Sequence, residues 1–209
     1  MEILLASGNA HKLEEFRAML EPLGVTMLAP SDVGGLPEVV EDGKTFAENA
    51  AKKAVSGAVA TGRWTLADDS GIAVDALDGA PGVHSARFAG THGDDAGNNA
   101  LLLEKLTGVP AEHRSARFVC ALALARPEGD VVLSTRGETH GRIIEELRGA
   151  AGFGYDPLFL FDEEGFEPTD KTFAEIGQAE KALVSHRGRA LRQLAMRLEA
   201  VIAKEQQRT

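Results

Sequence analysis

ILLASGNAHK, residues 3–12, predicts a short buried strand that leads through a tight turn into a helix. The apolar run at residues 3–6 has the length of a buried strand, and Ser7-Gly8-Asn9 interrupts it with residues typical of turns. A helical pattern follows over about residues 11–20, where apolar side chains recur on one face. This order of elements favours an α/β protein.

The rest of the chain continues to alternate between strand and helix patterns. Helices are predicted near residues 46–61, 95–106 and 172–175 and from residue 185 or 186 onward, and strands near residues 64–67, 115–125, 131–138 and 158–161. A turn at residues 127–130 joins two of these strands in an antiparallel hairpin, so we expect a mixed sheet flanked by helices. The length of 209 residues predicts a single domain over residues 1–209.

The composition excludes several classes of protein. The chain has 22 Lys and Arg residues against 32 Asp and Glu residues, and this net charge of −10 argues against binding of polymeric nucleic acid. A small anionic ligand needs only local positive charge and is compatible with that balance. The 44% of apolar residues fits neither a disordered nor a membrane protein, and the first residues predict no signal peptide or membrane span. The lone Cys120 excludes an intramolecular disulfide and fits a reducing compartment, so we expect a cytoplasmic protein.

Residues 7–12 are a candidate phosphate site, because a helix N-terminus offers N–H groups and the positive end of its dipole. Gly8 lets the backbone approach a ligand, and Lys12 adds a full positive charge in the first turn. An ordinary turn with Asn9 as the helix cap explains the same residues. In the next predicted helix Asn49 and Lys53 share one face, where Lys53 is either an anion ligand or an ordinary exposed lysine.

Asp68-Asp69-Ser70-Gly71 follows a strand that has a buried pattern. Ligands of open α/β sheets bind beyond the carboxyl ends of the strands, and two adjacent carboxylates there repel each other unless a cation or a proton lies between them. Mg²⁺ is the expected cation, since it binds carboxylate and phosphate oxygens. The alternative is an acidic turn without a ligand.

The loop Gly152-Phe153-Gly154-Tyr155-Asp156-Pro157 places aromatic rings between glycines. Such a ring can stack on a purine, and Asp156 can accept a hydrogen bond from the base. The alternative is a tight loop whose rings belong to the core.

A second group of candidate ligands for a carbonyl or phosphate comprises Lys181, His186 and Arg187. The alternative is a helix start in which Ser185 is the cap and Arg187 is solvated. The four histidines without metal-ligand spacing are expected at the surface: His84, His92, His113 and His140.

In this order the motifs resemble those of the non-canonical purine nucleoside triphosphate pyrophosphatases, also called inosine triphosphate pyrophosphatases. The matching stretches are residues 5–12, 45–54, 67–71, 79–87, 152–157 and 185–188. The resemblance covers about residues 3–198, with His84 and Phe88 where tyrosine is usual.

The resemblance implies an elongated α/β fold, with a mixed sheet flanked by helices and two lobes around a central substrate cleft. It implies a homodimer that requires Mg²⁺ and hydrolyses ITP, dITP and XTP to the monophosphate and pyrophosphate. It also implies that Asp69 is the proton acceptor and that Glu41 and Asp69 are the metal ligands. The substrate-binding residues that it implies are Ser7, Gly8, Asn9, Ala10, His11, Lys12, Lys53, Ser70, Phe153, Gly154, Tyr155, Asp156, Lys181, His186 and Arg187.

Two other functions use some of the same residues. A non-catalytic module that binds or senses purine nucleotides would not need Glu41, Asp68 and Asp69 together. A phosphatase with an aspartyl nucleophile would have Asp-x-Asp after the first strand, where this chain has Ser7-Gly8-Asn9.

Overall fold

The computed structural model describes residues 1–163, 165–166 and 170–206, apart from the side chains of His11 and Gln206. The strands are β1 (Glu2–Leu5), β2 (Thr26–Leu28), β3 (Thr65–Val74), β4 (Ser115–Ala125), β5 (Val131–Ile143) and β6 (Phe159–Phe161). The helices are α1 (Ala10–Leu20), α2 (Phe46–Thr61), α3 (Asp95–Lys105), α4 (Gln178–Val184) and α5 (His186–Gln206).

These strands form one mixed sheet in the order β2-β1-β3-β4-β5-β6. β1 pairs in parallel with β2 and β3, whereas β5 and β6 are antiparallel. The predicted α/β class with a mixed sheet is therefore confirmed. The four histidines expected at the surface are all exposed.

The chain divides into two compact units. The first comprises Met1–Asp69, Cys120–Arg136 and Arg189–Thr209, and the second comprises Ser70–Val119 and Gly137–Gly188. Each unit draws on stretches that are distant in sequence. The single domain over residues 1–209 stays a prediction.

In the first unit, large and small apolar side chains alternate along β4. Cys120, Leu122 and Leu124 lie in a buried cluster with side chains of β1, α1 and α5. The alanines between them face the other way, because successive strand residues point to opposite faces. They form an alanine cluster with α2 and β3, which comprises Ala50, Ala54, Ala58, Ala67, Ala121, Ala123 and Ala125. Helices therefore cover both faces of these strands.

The core of the second unit is built around aromatic rings. The ring centroids of Phe118 and Phe159 are 4.6 Å apart, and those of Phe159 and Phe173 are 5.0 Å apart. The imidazole of His186 stacks on Phe118 at 4.8 Å. The start of α5 is thus fixed by core packing at a residue that the sequence marks as a candidate ligand.

The sequence predicted that β3 ends at Ala67, before the acidic pair. That prediction is wrong. The strand continues through the acidic pair and Gly71 to Val74. Ile72, Ala73 and Val74 are buried, and Gly71 has no room for a side chain beside Ser85. The apolar run after the acidic pair keeps the strand going, so residues that are common in turns lie here within a strand.

The helix predicted at residues 172–175 is also wrong, because this segment is a turn. The backbone N–H of Thr172 donates to Glu175 Oε2 at 2.8 Å, which resembles part of a capping box. The Thr172 hydroxyl, however, donates to the carbonyl of Arg148 at 2.9 Å and does not cap a helix. The next helix, α4, begins only after Gly177.

Candidate active site

The acidic pair of β3 divides between the two faces of the sheet. Leu66 packs in the cluster with α1 and α5, whereas Ala67 packs in the alanine cluster with α2. By the same alternation Asp68 points to the face of α1, and Asp69 points to the face of α2. The two adjacent carboxylates therefore point in different directions, and a magnesium ion at this pair stays a prediction.

Lys12 of α1 is the partner of Asp68. Its Nζ lies 2.8 Å from Oδ2 and 3.0 Å from Oδ1 of that carboxylate. The Asp68 side chain is 1% exposed and that of Lys12 is 19% exposed, so the pair is largely withdrawn from water. Removal of one partner from such a pair is costly, since the other charge stays buried.

Lys53 of α2 lies between Glu41 and Asp69. Its Nζ is 3.1 Å from Glu41 Oε2 and 3.3 Å from Asp69 Oδ1. Two carboxylates from separate segments thus converge on one ammonium group. The structure brings together both predicted metal ligands and one predicted phosphate ligand.

Asn49, one turn before Lys53 on α2, orients the same carboxylate. Its Nδ2 donates to Asp69 Oδ2 at 3.1 Å, and its Oδ1 accepts from the Gly43 N–H at 2.8 Å. Because both ends of the buried amide are used, its orientation is fixed. The sequence placed Asn49 on the face of Lys53 but did not assign it to the site.

Burial raises the pKa of the Asp69 carboxyl, although Lys53 and the Asn49 amide oppose that effect. Burial acts to lower the pKa of Lys53, but the carboxylates of Asp69, Asp68 and Glu41 outweigh it, so this pKa is raised. Lys53 therefore stays protonated at neutral pH. A buried carboxylate with a raised pKa is well suited to accept a proton.

Residues 7–10 form the turn into α1. Asn9 Oδ1 accepts from the Lys12 N–H at 3.2 Å, so Asn9 is the helix cap that one interpretation predicted. Ser7 Oγ accepts from the Asn9 N–H at 3.3 Å. Residues 8–10 are exposed, which leaves this turn accessible to an anion. The side chain of His11 lies outside the described residues.

In the second unit the two rings of the aromatic loop differ in burial. Tyr155 is buried, and its hydroxyl donates to the Ser85 carbonyl at 2.8 Å. Burial also raises the pKa of Tyr155, with a smaller contribution from Asp95. Phe153 is 42% exposed. Tyr155 is thus a core residue, whereas the Phe153 ring is available to a ligand.

Two cations lie close to the Phe153 ring. Lys181 Nζ lies 5.3 Å and the Arg187 guanidinium 5.8 Å from its centroid. Asp156 is buried beneath the loop, where its Oδ2 accepts from Lys181 Nζ and from the Phe153 N–H at 2.9 Å. Of the carried-over residues in this unit, Phe153, Asp156, Lys181 and Arg187 are therefore close together. Ser70 follows Asp69 on β3 and is half-buried.

Glu41 and Asp69 have the donor chemistry that Mg²⁺ prefers. Mg²⁺ is usually held by one or two carboxylates together with substrate phosphates. No group of three or more His, Cys, Asp or Glu among the described residues is placed to hold a metal ion. The pair that converges on Lys53 therefore fits a cation whose remaining ligands are phosphate oxygens and water.

Comparison with known proteins identifies the family. The profile of the Ham1 family matches residues 3–197, and this chain belongs to the Ham1 family. A dITP/XTP pyrophosphatase of Rhodopirellula baltica is 51% identical over 191 residues, which cover 91% of this chain and 89% of that protein. A dITP/XTP pyrophosphatase of Exiguobacterium sibiricum is 52% identical over 194 residues, which cover 93% and 95%.

Solved structures show the same fold. A HAM1 protein from Coxiella burnetii superposes with a TM-score of 0.87 at 41% identity, over 96% of this chain and 99% of that one. A nucleoside-triphosphatase, or dITP/XTP pyrophosphatase, from Mycobacterium abscessus gives a TM-score of 0.76 at 48% identity, over 93% and 98%. The resemblance inferred from the motifs is therefore confirmed. In the part of the chain that the structure describes, no helix is long and apolar enough to cross a membrane.

Replacement of Lys12 by Met tests the buried pair. The variant keeps an unbranched side chain but removes the ammonium from Asp68, and we expect a loss of about 3 kcal/mol or more in the free energy of unfolding. Chemical denaturation measures it. The matched control is Lys52→Met, because Lys52 pairs with Asp42 in an exposed position and should contribute little. Equal losses in the two variants would contradict a special cost at Asp68.

Proposed function

We propose that this chain hydrolyses ITP, dITP and XTP to the nucleoside monophosphate and pyrophosphate, and so removes these nucleotides from the cellular pool. The observation that carries the proposal is the convergence of Glu41, Asp69 and Lys53 at one point, with a buried carboxylate beside a cation. Two relatives that are named dITP/XTP pyrophosphatases, 51% and 52% identical in sequence, support the same activity.

The triphosphate is bound by the turn before α1 and by lysines of α1 and α2. The exposed turn at residues 8–10 and the positive end of the α1 dipole receive phosphate oxygens. An ammonium group has three donors, so Lys12 can bind a phosphate while it keeps its contact with Asp68. Lys53 offsets charge that develops on the leaving pyrophosphate.

Asp69 accepts the proton of the attacking water. Water attacks the α-phosphorus in line with the departing pyrophosphate, and such reactions depend mostly on positioning and charge neutralisation. Asn49 and Lys53 hold the Asp69 carboxylate in one orientation.

Glu41 and Asp69 would hold the Mg²⁺ ion. A bound Mg²⁺ supplies charge neutralisation at the phosphate oxygens. Lys53, which contacts both carboxylates, would donate to phosphate beside the ion.

The purine is bound by the aromatic loop and by the side chains next to it. The exposed Phe153 ring stacks on the base, with Lys181 and Arg187 beside it as donors. A cationic donor suits the O6 carbonyl of a 6-oxo purine. Adenine presents an amino group instead, and two donors that face each other cost about 1–3 kcal/mol per unpaired group.

Product analysis tests the proposed reaction. Purified protein with ITP and Mg²⁺ should release IMP and pyrophosphate in equal amounts, and excess EDTA should abolish both until Mg²⁺ is restored. ATP should react at least about tenfold more slowly, because of the donor mismatch at its amino group.

Other outcomes of the same assay point elsewhere. Release of inorganic phosphate would contradict a pyrophosphatase, and a trapped phosphoenzyme would indicate an aspartyl nucleophile. Tight binding of ITP without turnover would indicate a nucleotide-binding module. Full activity in EDTA would contradict the role of Glu41 and Asp69 as metal ligands.

We also propose a cytoplasmic homodimer, on the basis of the family resemblance and of the lone, buried Cys120. Sedimentation equilibrium at micromolar concentration should give twice the chain mass of 22.1 kDa. The mass of one chain would contradict the dimer.

A further inference from the structure

Both backbone polar groups of Gly154 are held by side chains of α3. The Gly154 N–H donates to Asp95 Oδ2 at 2.7 Å, and the Gly154 carbonyl accepts from Asn99 Nδ2 at 2.9 Å. Asp95 and Asn99 are four residues apart and therefore share one face of the helix. Two side chains fifty-five or more positions away in sequence thus fix the peptide groups on both sides of Gly154 in the aromatic loop.

The loop needs such restraint. Gly152 and Gly154 flank Phe153 and both adopt positive φ angles, of 79° and 61°. Glycine in such a conformation loses more freedom on ordering than any other residue, so the ring between them is poorly restrained by its own backbone. Asp156 holds the Phe153 N–H on one side. Asp95 and Asn99 hold the next residue on the other side.

The Asn99 side chain leaves one of its polar atoms unsatisfied. It is 7% exposed, and its Oδ1 is buried with no hydrogen-bond partner among the described residues. An unsatisfied buried acceptor destabilises a protein. A flipped amide would place this oxygen against the Gly154 carbonyl, so the bond from Nδ2 to that carbonyl fixes the orientation. The contact with the loop is therefore what this side chain provides.

The adjacent Asn98 shows that a buried asparagine on α3 does not by itself serve the loop. Asn98 is 2% exposed, and its Oδ1 accepts from the Ala89 N–H at 2.8 Å, while its Nδ2 donates to the Ala86 carbonyl at 3.4 Å. Both bonds go to the segment before α3. Asn98 thus resembles Asn99 in burial and helix position but contacts a different segment.

We propose that Asp95 and Asn99 are positioning residues for nucleotide recognition, because their hold on Gly154 fixes the Phe153 ring in the place where a purine stacks. The inference rests on the proposed function, since it assigns these residues to the base-binding loop of that site. They act through Phe153 and do not themselves touch the reacting phosphate.

Kinetics with ITP separate this role from a purely structural one. Asn99→Asp keeps the shape of the side chain but replaces the donor by an acceptor that faces the Gly154 carbonyl. Its KM for ITP should rise about tenfold, the equivalent of one lost hydrogen bond, while kcat changes less than about threefold. Asp95→Ala should also raise KM. Asp95→Asn should leave KM near the wild-type value, because the new amide oxygen can still accept from the Gly154 N–H.

Asn98→Ala is the matched control. It removes a buried asparagine from the same helix and should lower thermal stability as Asn99→Asp does, but it should leave KM within about twofold of wild type, since it breaks no bond to the loop. An equal rise in KM in both variants, or no rise in Asn99→Asp, would overturn the proposal.

Hydrogen exchange provides a readout that needs no turnover. Peptides that contain Gly154 should exchange faster in Asp95→Ala and Asn99→Asp than in wild type or Asn98→Ala. Unchanged exchange in both loop variants would overturn the proposal even if the wild-type protein hydrolyses ITP. If the wild-type protein does not hydrolyse ITP, the proposed function fails, and affinity for IMP replaces KM. A weaker affinity in Asn99→Asp alone would then support the positioning role, and equal affinities would overturn it.

Discussion

Two neighbouring carboxylates inside a buried strand impose the constraint on which the site depends. Strand geometry sends Asp68 and Asp69 to opposite faces, so each needs its own positive partner from a different helix. Lys12 of α1 supplies one and Lys53 of α2 supplies the other. The packing of α1 and α2 on opposite faces therefore also fixes the electrostatics of β3.

This division gives the two aspartates different chemistry. Asp68 is nearly inaccessible and is engaged by Lys12, which suits a residue that holds α1 and the turn before it in place. Asp69 is 13% exposed and shares Lys53 with Glu41, while Asn49 holds its second oxygen. A carboxylate that is oriented, partly accessible and raised in pKa is suited to proton transfer. Two adjacent residues of β3 thus carry one carboxylate suited to a structural role and one suited to a reactive role.

Local sequence patterns predicted α2 and β4 with their observed bounds and singled out Lys53 and Asp69, whereas Glu41 joined the candidate set only through the family resemblance. They failed at residues 68–71, because the buried apolar run at residues 72–74 continues the strand through a stretch with the composition of a turn. They failed at residues 172–175 because the Thr172 hydroxyl binds Arg148 instead of capping a helix. Asn49, Asp95 and Asn99 escaped assignment for the same reason, since their roles depend on contacts between distant segments.

The most direct test of this account compares Asp68→Asn with Asp69→Asn in two measurements, the free energy of unfolding and kcat for ITP. We predict that Asp69→Asn lowers kcat about 10²- to 10⁴-fold with little loss of stability, because it removes a proton acceptor whose charge is costly to bury. Compared with Asp69→Asn, Asp68→Asn should lower the free energy of unfolding more and kcat less, because it breaks the ion pair with Lys12. Equal losses of kcat in the two variants, or the greater loss in Asp68→Asn, would contradict the division of roles along β3.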